Sequence, residues 1–274
     1  MTDRIAFIGA GNMAGALIAG LLADGTSPGQ LIAADPSEER CRALGNATGI
    51  QTLRDNREAA ALADIVVLAV KPQTLRTVAE QLAEQVQEQR PLVISIAAGI
   101  RSDSLQNWLG GDIPLVRTMP NTPAMIQSGA TVLYATAMVS ETQRDQAESL
   151  MRSAGLTQWV ADESLMDAVT ALSGSGPAYY FLVMEAMQEA AQEMGLSADT
   201  ARLLTLQTAL GAARMALESS ESPKILRARV TSPGGTTERA VQVLEDGGIR
   251  GLFREALQAA HDRSVELSNE MGSA

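Results

Sequence analysis

The stretch RIAFIGAGNMAGALIAGLLA, residues 4–23, decides the fold of this chain. A short apolar run is followed by a glycine-containing turn and then by an Ala- and Leu-rich segment that suits a helix. The turn GAGNMA, residues 9–14, fits the pattern GxGxxG/A, with Ala14 in the third place. In this pattern the first glycine permits a tight turn, the second lets the backbone approach a pyrophosphate, and the last small residue packs on the sheet. The order of strand, turn and helix therefore predicts dinucleotide binding at the amino end.

Further apolar runs of strand length alternate with Ala-rich helical stretches: LIAAD (31–35), IVVLAV (65–70), LVISIA (92–97) and PLVRTM (114–119). Continuous apolar strands separated by helices predict a mostly parallel sheet covered on both faces, which is a doubly wound, Rossmann-like α/β domain. From about Ser164 only helical spacing remains. We therefore expect a dinucleotide-binding domain at 1–162 and an all-helical substrate-binding and dimerisation domain at 163–274.

Two of the later helical segments, 177–194 and 199–218, carry apolar or small residues on nearly every face. A helix exposed to water on one side does not sustain this pattern. Either these helices form the core of their own domain, or they pack against a second subunit. The pattern favours the second arrangement, and we expect a homodimer at least.

The 274 residues include 21 Lys and Arg against 32 Asp and Glu, a formal net charge of −11. Such a surface repels a nucleic-acid backbone, so no nucleic-acid partner is expected. The one cysteine, Cys41, cannot form an internal disulfide, and the opening MTDRIAFIG lacks the pattern of a secretion signal. No apolar run approaches the roughly 18 residues of a membrane-spanning helix. We expect a cytoplasmic protein without a membrane partner.

Asp35, at the end of the second predicted strand, bears on the choice of coenzyme. An acidic residue here accepts hydrogen bonds from a ribose 2′-OH and favours NAD(H). The following Pro36, Ser37 and Glu38 make Asp35 equally plausible as a helix N-cap with proline at the first helical position. A 2′-phosphate favours hydroxyl and cationic groups instead, and Ser37 and Arg40 lie close in sequence. The choice between NADP(H) and NAD(H) stays open at this point.

Three segments close later strands at the same predicted edge: AVKPQ (69–73), AAGI (97–100) and TMPNTPA (118–124). Because the carboxyl ends of parallel strands form the ligand crevice, their small residues should lie beneath the nicotinamide or its ribose. Lys71 is either part of that crevice or a surface lysine before Pro72. Asn121 is either a turn residue or a ligand contact.

Residues that usually move protons or bind metals are scarce. The single histidine, His261, lies in an amphipathic final helix, the two lysines are Lys71 and Lys224, and no metal-ligand cluster occurs. An alcohol dehydrogenase usually positions Lys, His or Tyr to move the hydroxyl proton. Reduction of a C=N bond suits this chain better, since a protonated imine is already electrophilic. No metal site is expected.

The stretch VTSPGGTTERAVQVLE, residues 230–245, combines a proline, two glycines and neighbouring threonines before a helical pattern. One interpretation is a turn capped by threonine. The other is a site for a small carboxylate, because unpaired N–H groups and hydroxyls gather at a helix start, where a Thr hydroxyl can also bond an imine nitrogen. LSGSGPAYY (172–180) opens another helix and could form the opposite wall.

In their order along residues 4–268, the motifs resemble the pyrroline-5-carboxylate reductases: GAGNMA, AVKPQ, SIAAG, MPNTP, LSGSGPAYYF and SPGGTTERAVQVLEDGGIR. The resemblance implies reduction of L-1-pyrroline-5-carboxylate to L-proline with NADPH or NADH, the last step of proline biosynthesis. It also implies a Rossmann domain followed by a helical domain that interlocks into dimers, with decamers in many members.

Site residues follow from the same resemblance. Thr237 is implied to hydrogen-bond the ring nitrogen as the catalytic residue, and the substrate is implied to lie against Val230, Ser232, Gly235, Thr236 and Thr237. The glycine-rich turn and the end of the second strand already predict coenzyme contacts at Gly9, Ala10, Gly11, Asn12, Met13 and Asp35. The resemblance implies further coenzyme contacts at Asn56, Ala69, Val70, Lys71, Ala97, Ala98, Gly99 and Asn121.

Some positions depart from the family. SPK (222–224) and LRA (226–228) stand where many members read HPG and LKD or LRD, and Asp35 replaces a small hydroxyl residue found in relatives that prefer NADPH. One rival is a β-hydroxyacid dehydrogenase-like enzyme, but the segment GSGPAYYFLVMEA (174–186) lacks the lysine of its GxxxKxxN pattern. Another is a noncatalytic dinucleotide-binding protein, which has no reason to keep SPGGTT.

Overall fold

The computed structural model describes residues 3–273, and eight strands within this range form one sheet. They are β1 (Ile5–Ile8), β2 (Leu31–Ala34), β3 (Gln51–Leu53), β4 (Ile65–Leu68), β5 (Leu92–Ser95), β6 (Leu115–Met119), β7 (Gly129–Ala135) and β8 (Gly155–Trp159). Their order across the sheet is β3-β2-β1-β4-β5-β6-β7-β8, and neighbours are parallel except β6 with β7. The chain order reverses between β1 and β4, where doubly wound sheets bind ligands.

The five predicted apolar runs form β1, β2, β4, β5 and β6, which confirms the doubly wound, mostly parallel sheet. Three strands went unpredicted because they lack continuous apolar runs. The edge strand β3 has only three residues, and β7 and β8 alternate between more and less buried residues. Asp35 and residues 69–70 and 96–97 lie beyond the strand ends, in the loops that follow them.

Twelve α-helices occur within residues 3–273, and some of them pack on the two faces of the sheet. They are α1 (Asn12–Ala23), α2 (Glu38–Thr48), α3 (Asn56–Ala61), α4 (Pro72–Gln89), α5 (Ser102–Trp108), α6 (Glu141–Arg152), α7 (Leu165–Val169), α8 (Gly176–Glu193), α9 (Ala198–Glu218), α10 (Pro223–Arg229), α11 (Thr236–Asp246) and α12 (Ile249–Ser273). Alternate strand residues point to opposite faces, so Ile5 and Phe7 join a core with α1 and α6. Ala6 and Ile8 join a second core with α3, α4 and α5.

Contacts divide the chain into two compact units. One comprises the chain up to Ser175 together with the chain from Ala259 onward, and the other spans Gly176–Gln258. Within the first unit, Ser264 Oγ donates to Asp167 Oδ1 at 2.7 Å, and both residues are buried. This hydrogen bond fastens the carboxyl-terminal half of α12 to α7. The expected domain boundary between residues 162 and 163 stays a prediction.

The second unit is helical throughout its regular structure and leaves large apolar side chains exposed. On α8 the exposed residues include Tyr180, Phe181, Leu182, Val183 and Met187, and on α9 they include Leu203, Leu204, Leu206, Leu210, Met215 and Leu217. The alternative that these helices form the core of a single chain is therefore wrong. No helix in the described part of the chain is both long enough and apolar enough to cross a membrane.

Candidate active site

The glycine-rich turn after β1 has the geometry that its sequence predicted. Gly9 has φ +108° and donates its N–H to Ala34 O at 2.7 Å. A Cβ at Gly9 would lie 2.6 Å from Ala69 O, so only glycine fits there. A Cβ at Gly11 would meet nothing within 4 Å. Gly11 is the N-cap of α1, whose first turn has no side-chain cap and no acidic residue, so its N–H groups can receive a phosphate.

A cavity of about 1190 Å³ opens at the carboxyl ends of the parallel strands. Twelve of the fourteen residues predicted to bind a coenzyme line it: Gly9, Ala10, Gly11, Asn12, Met13, Asp35, Asn56, Ala69, Val70, Lys71, Ala97 and Ala98. Lys71 is exposed, acts as the N-cap of α4 and belongs to this lining, so it lies at the crevice. The structure therefore gathers five separate segments of the sequence around one space.

Gly99 and Asn121 are absent from the lining of this cavity. Asn121 Oδ1 accepts the Ala130 N–H at 2.9 Å, and its Nδ2 donates to Ser173 O at 3.2 Å. Its amide thus links β7 to a π-helical turn, Thr170–Gly174, as a structural turn residue does. Gly99 has φ +70° and packs against Leu267 of α12. Contact of either residue with a coenzyme stays a prediction.

Asp35 is held by donors from three places. Its Oδ2 accepts the Ala10 N–H at 3.0 Å, and its Oδ1 accepts the Ser37 N–H at 2.9 Å. Arg40 Nη1 lies 3.5 Å from Oδ2. The alternative of Asp35 as the N-cap of α2 is wrong, because α2 begins at Glu38 and Ser37 Oγ accepts the Arg40 N–H. Asp35 instead fastens the glycine-rich turn to the end of β2.

Two features of the cavity fit a dinucleotide. Asn56 Oδ1 is fully buried and has no hydrogen-bond partner within the described residues, which leaves an acceptor for a ligand hydroxyl. Gly11 leaves open space where any other residue would place a side chain. The sequence did not single out Arg54 and Arg57, which also line the cavity. Arg54 directly follows the unpredicted strand β3, so its place at the sheet edge could not be read from the pattern.

The segment before α11 forms a tight turn in which the Ser232 hydroxyl is unengaged, whereas Thr231 Oγ1 donates to Arg227 O at 2.7 Å. Gly234 has φ +73°, and the Gly235 N–H donates to Ser232 O at 3.0 Å. The prediction of a threonine cap is wrong, because the N-cap is Gly235 and no side chain caps the helix. Thr236 and Thr237 are instead the first two residues of α11. Among the described residues, no hydrogen bond is formed by the side chains of Ser232, Thr236 or Thr237.

This turn lies at the surface of the single chain. Ser232 is exposed, Thr237 is half-buried, and Val230 has 61% of its surface exposed. The Glu238 carboxylate accepts the Gly234 N–H at 2.7 Å and stiffens the turn. The first N–H groups of α11, at Thr236 and Thr237, have no acceptor within the helix. The arrangement can receive a small carboxylate and leaves the Thr237 hydroxyl free for a second polar atom.

A carboxylate on α11 joins the helices on either side of the turn. Glu245 Oε1 accepts hydrogen bonds at 2.7 Å from Arg227 of α10 and from Arg250 of α12. The hydrogen bonds from Arg250, and next those from Arg227, lower the pKa of Glu245 to about 2. Arg227 lies in the LRA segment but matches the arginine of the LRD pattern, so this contact does not involve the departing residue, Ala228.

Comparisons with known proteins extend over the whole chain. A family described as "NADP oxidoreductase coenzyme F420-dependent" matches residues 4–99, and one described as "Pyrroline-5-carboxylate reductase dimerisation" matches residues 163–267. Pyrroline-5-carboxylate reductase of Pseudomonas aeruginosa is 51% identical over 99% of both chains. The structure of a pyrroline-5-carboxylate reductase from Coxiella burnetii is 49% identical, with a TM-score of 0.94 over 98% of this chain and 99% of that one. A Plasmodium falciparum pyrroline carboxylate reductase structure with NADP bound is 28% identical, with a TM-score of 0.86 over 97% and 98% of the two chains.

Together, the doubly wound sheet, the glycine-rich turn and the cavity define a Rossmann-type oxidoreductase that uses a dinucleotide coenzyme. Identity of 51% across 99% of the chain is specific to one family within that class. The chain belongs to the pyrroline-5-carboxylate reductase family. This membership rules out the β-hydroxyacid dehydrogenase alternative.

Proposed function

We propose that this protein reduces the imine of L-1-pyrroline-5-carboxylate to give L-proline, the last step of proline biosynthesis. The observation that carries the proposal is the 51% identity over 99% of the chain to the Pseudomonas aeruginosa pyrroline-5-carboxylate reductase. The scarcity of proton-moving side chains agrees with it, because a protonated imine needs no strong acid or base from the protein. The two lysines and one histidine of the sequence leave few candidates for any chemistry that does.

The coenzyme in this proposal is NADP(H), with NAD(H) as a second substrate. It supplies the hydride when bound. The glycine-rich turn and the start of α1 would hold the pyrophosphate, and Asn56 would accept a hydrogen bond from the adenosine side. Residues Ala69–Lys71 and Ala97–Gly99, with Asn121, would surround the nicotinamide half. The support for these roles is the shared cavity, which twelve of the fourteen residues line.

The substrate site in this proposal is the turn before α11. Ser232 and the backbone N–H groups of residues 235–237 would hold the carboxylate, where the positive end of the helix dipole also favours an anion. Val230 would contact the ring. The Thr237 hydroxyl would hydrogen-bond the imine nitrogen, orienting it and relaying a proton. The free hydroxyls of Ser232 and Thr237 and the free N–H groups of Thr236 and Thr237 support the assignment, whereas the Gly235 N–H already donates to Ser232 O in the single chain.

The proposal also covers assembly and location. The carboxyl-terminal part belongs to a dimerisation family, and its exposed apolar helices are suited to a subunit interface. We propose that residues 1–162 serve the coenzyme, that residues 163–274 serve substrate binding and dimerisation, and that dimers assemble further into decamers. We also propose a cytoplasmic location and no nucleic-acid partner, as the charge of −11 favours.

Incubation of the protein with NADPH and pyrroline-5-carboxylate, while the nicotinamide absorbance is followed, tests the function. The expected result is substrate-dependent loss of that absorbance with formation of proline. A noncatalytic dinucleotide-binding protein would bind NADPH without consuming it. Oxidation of a β-hydroxyacid in place of imine reduction would also contradict the proposal.

A further inference from the structure

The cavity has an arginine-rich end beside the last residues of β2. Arg40 reaches it from α2, and Arg54 reaches it from the end of β3. Arg40 Nη1 lies 3.5 Å from Asp35 Oδ2, and Arg54 Nη2 donates to Pro36 O at 3.3 Å. The two guanidinium groups therefore contact neighbouring residues, Asp35 and Pro36, although they come from different elements.

The carboxylate at this end is already engaged. The Asp35 side chain is only 7% exposed, accepts two backbone N–H groups and faces Arg40. Backbone N–H groups thus occupy one acceptor position on each of its oxygens, and Arg40 lies close enough to offset its charge. The Arg40 side chain is 59% exposed and keeps N–H donors for another partner, since a guanidinium carries five.

The other charged groups nearby are also paired. Asp55 Oδ1 accepts the Arg57 N–H at 2.8 Å, and Arg57 Nε donates to Gln81 O at 2.9 Å. Glu38 pairs with Arg42, which does not line the cavity. Among the arginines that line the cavity, Arg40 and Arg54 are the two that contact the residues directly after β2, whereas Arg57 is anchored to α4 through Gln81.

We propose that Arg40 and Arg54 bind the 2′-phosphate of NADPH and make this chain prefer NADPH to NADH in spite of Asp35. The inference rests on the proposed function, which assigns the cavity to a dinucleotide. In sheets of this type the adenosine ribose lies at the end of β2, where a nearby arginine accommodates a 2′-phosphate. Two guanidinium groups can each offer paired N–H donors to phosphate oxygens. The Ser37 hydroxyl accepts the Arg40 N–H as the cap of α2, and its own O–H remains available as a further donor.

The test is calorimetric titration of the protein, without substrate, by NADP⁺, NAD⁺ and the fragment adenosine 2′,5′-bisphosphate. The variants are Arg40→Gln, Arg54→Gln and the double variant. Each single change should raise the Kd for NADP⁺ and for the fragment by about 10-fold or more, and the double change should raise both Kd values further. Binding of NAD⁺ should change by less than about twofold, a loss well below that of one hydrogen bond to a charged group. Arg42→Gln, which lies on α2 like Arg40, is the matched control and should leave the Kd of both coenzymes unchanged.

Several results would overturn the inference. One is equal affinity of the unaltered protein for the two coenzymes. The others are an unchanged Kd for NADP⁺ in the double variant, or equal losses of affinity for NADP⁺ and NAD⁺ in the variants. In each case the reduction of pyrroline-5-carboxylate can still be measured with saturating coenzyme, so the proposed function stands or falls separately. Failure of the unaltered protein to bind either coenzyme would overturn both.

Discussion

Thr237 is the second residue of α11, and its hydroxyl has no partner in the described part of the chain. If it bonds the imine nitrogen, Thr237→Ala should lower kcat/KM by about 10- to 100-fold, the effect of losing one hydrogen bond to a charged group. Stability and coenzyme affinity should barely change, because Gly235 and not a threonine is the N-cap. Steady-state kinetics and thermal denaturation measure both effects.

Thr237→Ser is the matched control for this prediction. Serine keeps the hydroxyl and should retain most of the activity. Full activity in Thr237→Ala, accompanied only by a lower melting temperature, would mean that the residue serves the turn and not the reaction.

Asp35 has two roles that a substitution can separate. Replacement by Ser removes the negative charge near the proposed phosphate site and should shift the ratio of kcat/KM values towards NADPH by about tenfold, which corresponds to about 1.4 kcal/mol. Asp35→Asn keeps an acceptor for the Ala10 N–H, so it controls for loosening of the glycine-rich turn. If neither variant alters the ratio, the carboxylate acts only as an acceptor for Ala10 and Ser37.

At the scale of elements, Glu245 joins α10, α11 and α12 around the proposed substrate turn. A carboxyl whose pKa is lowered on folding stabilises the protein above its ordinary value of 4.5, and this contribution is lost as the pH falls towards about 2. The melting temperature of the unaltered protein should therefore exceed that of Glu245→Gln at neutral pH. The difference in melting temperature between the two proteins should become smaller as the pH falls from 4.5 to about 2.

Thermal denaturation of the two proteins across this range checks the prediction. Added salt should also narrow the difference, because the groups are exposed and screened. If the difference in melting temperature stays constant down to a pH of about 2, the charge of Glu245 does not hold these helices together.

The elements also show how far the sequence can be interpreted. Runs such as IVVLAV predicted the central strands because both faces of a parallel strand are buried. The edge strands β3 and β8 were not predicted, because their partial exposure removes the continuous apolar run that marks a buried strand. Most of the coenzyme cavity could be predicted, since the ends of parallel strands converge. The hydrogen bonds of the Asn121 and Asp35 side chains could not be predicted, because each involves a backbone group far away in the sequence, at Ser173 and at Ala10.

At the scale of the whole molecule, the exposed apolar side chains of α8 and α9 require a partner. Tyr180 is 70% and Phe181 63% exposed in the single chain. An apolar surface of this kind marks an interface. Light scattering at low protein concentration should give at least twice the mass of one chain. Phe181→Ser should shift the protein towards smaller species, whereas a stable and fully active monomer would contradict dimerisation.

In the proposed reaction, this chain transfers a hydride to the imine carbon of pyrroline-5-carboxylate. The most direct measurement uses NADPH that carries deuterium at the transferable position of nicotinamide C4, followed by mass spectrometry of the product. We expect L-proline with one deuterium at the former imine carbon, formed in equal amount to the NADPH consumed. Consumption of NADPH without deuterated proline, or no consumption at all, would contradict it.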